Sequence, residues 1–236
     1  MKILALEFSS PQRSVAVVQG DTLKGGHQTG ALGVHPLGCQ VSVSEVIETG
    51  STGTAALGMV EAALREGNLE REQIECVAIG LGPGSYTGIR LAIALAQGWQ
   101  LAVPAVRILG LGSAECLVAQ AQSDGITGPV GIVIDAQRGE FYLAGYEISG
   151  ASWREIDPLR LASRADVEKR ATAGALIIGP EVTKWFASGK IVFPRASTLG
   201  RFALTRTDFQ PAETVQPLYL RETSFVKAPK PRIASC

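Results

Sequence analysis

The spacing of apolar positions changes several times along the chain, and the changes outline an alternating α/β protein. Residues 3–6 (Ile-Leu-Ala-Leu) form the short continuous apolar run of a buried first strand, and residues 14–19 (Ser-Val-Ala-Val-Val-Gln) predict a second. Gly20-Asp21 reads as a turn, from which Thr22 onward is expected to pair back as the third strand of a meander. Residues 25–53 are rich in Gly, Ser and Thr, and little regular structure is predicted there. From 54 to 66 the period becomes helical. Ala56, Met59, Val60, Ala63 and Leu64 share one face, and Gly67-Asn68 supplies a stop. Residues 74–81 predict another buried strand, followed by a glycine-rich turn over 82–88 and a helix running to about Gln100. A strand over 104–109 and a helix over 111–121 come next. Strand patterns return at 130–135 and 140–148, joined by a tight turn at Arg138-Gly139. Ser163-x-x-Asp166 has the form of a capping box opening a short helix, and 175–178 and 190–193 are further short strands. The strand pair after position 130 makes two similar lobes the natural expectation, although no sequence repeat is visible.

Charge narrows the function classes. The 22 basic and 22 acidic side chains cancel, whereas a chain that grips nucleic acid alone carries an excess of Lys and Arg to neutralise phosphate. Any service to RNA is therefore expected to run through a partner. Cys39, Cys76, Cys116 and Cys236 form no Cys-x-x-Cys pair, which argues against a zinc knuckle or a thioredoxin-like motif. Met1-Lys2 leads straight into the first strand with no leader pattern, so the cytoplasm is the expected compartment. The longest uncharged apolar stretch near the middle, cut by Gln97, Gly98, Gln100 and Pro104, is too short and too polar for a membrane span.

Candidate chemistry is sparse. The turn with Gly82, Gly84, Ser85 and Gly88 opens a helix, a junction that can present backbone N–H groups to an anion. It is not a P-loop, because Gly88 is followed by Ile89-Arg90, and Thr87 breaks the dinucleotide fingerprint. A structural turn and a phosphate contact both remain open. In the helix after it, Gly88, Ala92 and Ala96 form one stripe of small residues, and Ala94, Gly98 and Ala102 a second. Ile89, Ile93 and Trp99 would seal the edges of a close helix contact, either within the domain or with another chain. The two histidines, His27 and His35, share no helical metal-binding face, and the nucleophile elbow is absent. Glu7 and Asp135 sit at strand ends, where two carboxylates could face each other around Mg²⁺, or simply cap turns and pair with Arg13 and Arg138.

Four motifs, in order, resemble the TsaB (YeaZ) family, the dimerisation subunit for tRNA threonylcarbamoyladenosine synthesis. They are residues 3–10, the run Gly82-Pro83-Gly84-Ser85-Tyr86-Thr87-Gly88-Ile89-Arg90 with Ala96-Gln97-Gly98 behind it, the segment 134–142, and Gln216-Pro217-Leu218-Tyr219-Leu220-Arg221. The resemblance implies an α/β, two-lobed fold of the actin/Hsp70/sugar-kinase (ASKHA) type. Residues 1–106 would form an N-terminal lobe carrying partner-binding helices, 107–220 a C-terminal lobe, and 221–236 a basic tail. It also implies a non-catalytic subunit that binds and activates a metal-dependent catalytic paralogue (TsaD-type), alongside a small ATPase (TsaE-type). A homodimer is the alternative pairing, tRNA would be met only through the complex, and no membrane is involved. The interface would be built from Ala56, Met59, Ala63, Ile89, Ala92, Ile93, Ala96 and Trp99. A vestigial nucleotide cleft would hold Glu7, Ser9, Ser10, Gly82, Gly84, Ser85 and Asp135; no cofactor is required, and weak ATP or ADP binding is left open. Two positions depart from the family pattern: Glu7 stands where Asp is usual, and Thr52-Gly53 stands where a His-Ser/Thr pair is common. The rival reading from another class is a small-molecule kinase or nucleotide-binding protein of the same fold. A glycoprotein endopeptidase and a direct tRNA binder are weaker rivals.

Overall fold

The computed structural model describes residues 1–20, 41–50, 56–150, 152–218 and 220. The expected pairing from Thr22, the histidines at 27 and 35, Thr52-Gly53 and the basic tail lie outside these residues.

Two five-stranded sheets carry the fold, and they are built to one plan. In the first, β1 (Lys2–Glu7), β2 (Gln12–Gln19) and β3 (Ser42–Thr49) run antiparallel, while β4 (Cys76–Gly80) and β5 (Arg107–Leu111) add parallel on the other side of β1. The order is β3-β2-β1-β4-β5. In the second, β6 (Gly128–Asp135), β7 (Phe141–Ile148) and β8 (Trp153–Ala162) run antiparallel, and β9 (Leu176–Gly179) and β10 (Lys190–Ile191) add parallel beside β6. The order β10-β9-β6-β7-β8 repeats the first sheet strand for strand. This duplication is the two-lobed actin/Hsp70/sugar-kinase plan.

Helices follow the same repeat. α1 (Ala56–Glu66) and α2 (Tyr86–Ala102) lie between parallel strands of the first half, and α3 (Ser113–Ser123) follows β5. In the second half α4 (Arg164–Thr172) corresponds to α1, a single 3₁₀ turn at Val182–Lys184 takes the place of α2, and α5 (Ala196–Ala203) closes the unit. Strand alternation then sorts the core into layers. Leu4 and Leu6 face α1 and α2, whereas Ile3 and Ala5 face a central layer holding α3 and α5. Ile132 and Ile134 reach that central layer from the second sheet, and Val133, Phe141 and Leu143 face the α4 side. The last helix of each half crosses over: α5 packs on β1, β2 and β4, and α3 on β6, β7 and β8. Gly200 permits this, since a Cβ there would lie 2.4 Å from Val18 Cγ2. β5 pairs with β4 and so completes the first sheet.

Several local signals operate as read. α1 ends in a paired 6→1 and 5→2 arrangement, with Leu69 N donating to Leu64 O at 3.0 Å, Asn68 N to Arg65 O at 3.1 Å, and Asn68 at φ 51°. Ser163 and Asp166 form the predicted reciprocal cap of α4. Three elements differ from the sequence reading. β3 falls inside the stretch read as irregular, because its apolar alternation is broken by Glu45, a residue the fold uses in an ion pair with Arg195. β8 contains Pro158, which is tolerated because β8 is an edge strand. α5 has only eight residues, with a glycine among them, too short a run for sequence alone to separate it from the loops on either side.

Candidate functional site

The cleft candidates fall into two groups. Glu7 ends β1 and is completely buried. Its Oε1 accepts from Ser9 N at 2.8 Å, and Ser113 Oγ lies 3.5 Å from Oε2 while donating to Ser9 Oγ at 2.9 Å. Gly80, on the neighbouring strand, gives the carboxylate its room: a Cβ there would be 2.1 Å from Glu7 Oε2. Burial pushes the Glu7 carboxyl above its ordinary value, against the lowering effect of the Ser9 and Ser113 bonds.

The glycine-rich turn lies directly over the end of β1. Cβ atoms on Gly84 and Gly88 would meet Ser9 O at 2.1 Å and Phe8 O at 1.9 Å, so these glycines exist for close backbone approach. Gly82 has φ +89° and turns the chain out of β4, and its carbonyl accepts from Ser113 N at 2.7 Å. Two N–H groups at the helix start are used internally, Ser85 N by Ser9 O at 2.7 Å and Gly88 N by Ser85 Oγ at 3.3 Å. Ser10 Oγ donates to Gln12 O at 2.6 Å.

Asp135 does not join this cluster through its hydrogen bonds. Its oxygens accept from Gln137 N at 2.8 Å and Gln137 Nε2 at 3.0 Å, capping the turn after β6, where Gln137 and Arg138 take positive φ. A divalent cation and its phosphates need exposed, ionised oxygens. A buried carboxyl whose ionisation is disfavoured, with its oxygens turned to Ser9 and Ser113, does not fit that group. Among the described residues no set of three or more His, Cys, Asp or Glu side chains could hold a metal. Ser113 is the member of the cluster that sequence reading missed, because a serine one residue into a helix looks like any other first-turn residue.

The second candidate is the helix layer on the outer side of the first sheet. Ala56, Met59, Ala63, Ile89, Ala92, Ile93 and Ala96 are each 7% exposed or less and pack into the chain's own core, with Trp99 half-buried at its margin. The stripe Gly88-Ala92-Ala96 therefore serves internal packing of α2 on the sheet. The other stripe faces outward: Ala94, Gly98 and Ala102 are exposed, and no atom lies within 4 Å of a Cβ built on Gly98 or on Gly58 of α1. Leu101 is 84% exposed and Leu57 63%. At the start of α2, Arg90 stacks 4.6 Å above the Tyr86 ring. Sequence reading had this outward stripe but could not tell which of the two faced the sheet.

No helix among the described residues is long and apolar enough to cross a membrane. The protein-family model for tRNA N6-adenosine threonylcarbamoyltransferase (TsaD) matches residues 53–215. The chain is 24% identical over 189 residues to the Bacillus subtilis tRNA threonylcarbamoyladenosine biosynthesis protein TsaB, spanning 78% of this chain and 72% of that protein. It is 35% identical over 167 residues to an uncharacterised protein of Mycobacterium tuberculosis, spanning 69% and 71%. The structure of YeaZ from Pseudomonas aeruginosa superimposes with a TM-score of 0.71 at 23% identity, covering 93% of this chain and 99% of that one. The family model covers more than half of the chain, and with the four motifs read along the sequence it places the protein: the chain belongs to the tRNA N6-adenosine threonylcarbamoyltransferase family, and over most of its length it is similar to TsaB.

Proposed function

We propose that this chain is the non-catalytic partner subunit of a tRNA threonylcarbamoyladenosine-forming assembly, holding a TsaD-type catalytic paralogue through the outer face of α1 and α2. The observation that carries the reading is the outward stripe of small residues on α2 beside Leu101. Leu101 with exposed Ala94 and Gly98 makes a slim apolar stripe on α2, and Leu57 with exposed Gly58 a smaller one on α1, against which another helix can approach closely. Burying a leucine of this kind is worth about 1.5–3 kcal/mol, so Leu57 and Leu101 are the natural anchors. The seven buried residues beneath form a stiff platform, and Trp99 closes its margin.

Bond chemistry belongs to the paralogue. This chain has only two histidines, eight positions apart, and so no His-x-x-x-His pair for a catalytic metal. The cleft geometry supports a subunit that requires no cofactor, because the Glu7 oxygens are turned to Ser9 and Ser113. A TsaE-type ATPase completes the assembly, and tRNA is met through the complex, in keeping with the chain's zero net charge. In the absence of the paralogue, the same apolar face supports a homodimer.

Reconstitution tests this reading. Threonylcarbamoyl transfer to tRNA by the organism's catalytic paralogue and ATPase should depend on adding this chain. Transfer at an undiminished rate without it would overturn the proposal.

A further inference from the structure

The two sheets repeat one another, but their outer faces are not equally covered. α1 and α2 together roof the first sheet. On the second, α4 packs on β6 and β9, and only the 3₁₀ turn stands where a counterpart of α2 would lie. Over β7 and β8 a cavity of about 410 Å³ remains between α4 and the sheet.

An arginine forms part of its floor. Arg170 reaches from α4 across two glycines of the sheet: a Cβ on Gly145 would sit 1.7 Å from its NH2, and one on Gly131 would sit 3.1 Å from its Cδ. NH1 donates to Asp157 Oδ2 at 2.8 Å, and the buried Nε has no acceptor among the described residues. Arg160 approaches the other oxygen of the same carboxylate, with Nε 3.8 Å from Asp157 Oδ1. One carboxylate thus serves two guanidinium groups, and Lys169 adds a third cation to the wall. The other carboxylate on the wall, Asp166, is held in the α4 cap, where its Oδ2 accepts from Ser163 N at 2.8 Å and Ser163 Oγ at 2.7 Å. Leu143 and the exposed Ile156 supply an apolar side.

We propose that this cavity binds a small organic phosphate, its phosphate set among Arg160, Lys169 and Arg170 and its body against Leu143 and Ile156. Cations converging from a strand and a helix suit the spread oxygens of a phosphate monoester better than a single flat carboxylate. The volume lies in the range of small-molecule sites, roughly 300–1,000 Å³. A balanced total charge and a concave site favour a small ligand over an RNA backbone, which would need an extended basic track.

The test uses the full chain and three probes: adenosine monophosphate, ribose 5-phosphate and adenosine. Calorimetric titration should show saturable binding of one or both phosphates below about 10 mM and none of adenosine. Lys169→Glu and Arg160→Glu change exposed side chains and should each weaken that binding at least about tenfold, with circular dichroism unchanged. No saturable phosphate binding, or binding indifferent to both substitutions, would overturn the proposal. So would tRNA displacing the phosphate at micromolar concentration, which would make the site an RNA contact. Because neither residue lies on α1 or α2, both variants should still support threonylcarbamoyl transfer in reconstitution, which separates this site from the partner-binding face.

Discussion

The Glu45 carboxylate on β3 grips the Arg195 guanidinium ahead of α5 with two hydrogen bonds, Nε to Oε1 at 3.2 Å and NH2 to Oε2 at 2.7 Å. Oε1 also accepts from Ser197 N at 3.1 Å, and Ser14 Oγ of β2 accepts from Ala196 N at 2.8 Å. The first sheet therefore supplies acceptors for two open N–H groups at the start of a helix from the second half of the chain. These bonds fasten the crossover that joins the two repeats.

Glu45→Ala leaves the partly buried Arg195 and a helix-start N–H without their acceptor. A fully buried pair broken in this way costs about 3–5 kcal/mol, and because Arg195 retains some contact with water the expected loss is about 2 kcal/mol. Urea unfolding of the variant measures it, and a loss below about 0.5 kcal/mol would mean that the pair does not fasten the crossover.

Glu7 gives a pH prediction with an unusual sign. Its folded-state value is raised above the ordinary 4.5, so above that pH the unfolded chain releases this proton before the folded chain does. The contribution of Glu7 to stability is therefore present at low pH and is lost as pH rises from the ordinary value through the folded one. Glu7→Gln keeps an acceptor for Ser9 N and offers a donor toward Ser113 without any ionisation. The variant should be at least as stable as the wild type at pH 7, with a flatter stability profile as pH rises above 4.5. Thermal unfolding across that range decides it; a variant much less stable at neutral pH would show that the ionised carboxylate is the form the fold requires.

Two glycines of α2 should respond in opposite directions. Gly88→Ala drives a methyl to 1.9 Å from Phe8 O, a backbone atom that cannot step aside, and should cost about 2–3 kcal/mol. Gly98→Ala meets nothing within 4 Å and should stabilise the isolated chain by about 0.5–1 kcal/mol through helix propensity. Paired denaturation curves check both, and equal responses would contradict the assignment of one stripe to the core and the other to the surface.

Those two stripes also show where sequence reading reaches its limit. Spacing identified both, because small residues every four positions are legible without a structure. Which stripe meets the sheet depends on the rotation of α2 on its support, and that is set by the carbonyls of Phe8 and Ser9, nearly eighty residues earlier in the chain. β3 was hidden for a related reason: Glu45 breaks the alternation in favour of a partner 150 residues away. The doubled topology left no sequence repeat, since Leu4 and Val133 need only be apolar to occupy equivalent faces. Local signals fared better. The Gly67-Asn68 stop and the Ser163–Asp166 cap depend on neighbours in sequence alone, and both are realised.

The most direct test of the central claim is co-purification of this chain with its organism's catalytic paralogue, comparing the wild type with Gly98→Glu and Leu101→Glu. Both substitutions fall on exposed positions of α2, so the chain itself should remain folded. The account predicts a stable complex for the wild type and its loss in the double variant, with threonylcarbamoyl transfer lost alongside it. A wild-type chain that forms no complex, or a double variant that binds as well as the wild type, would contradict it.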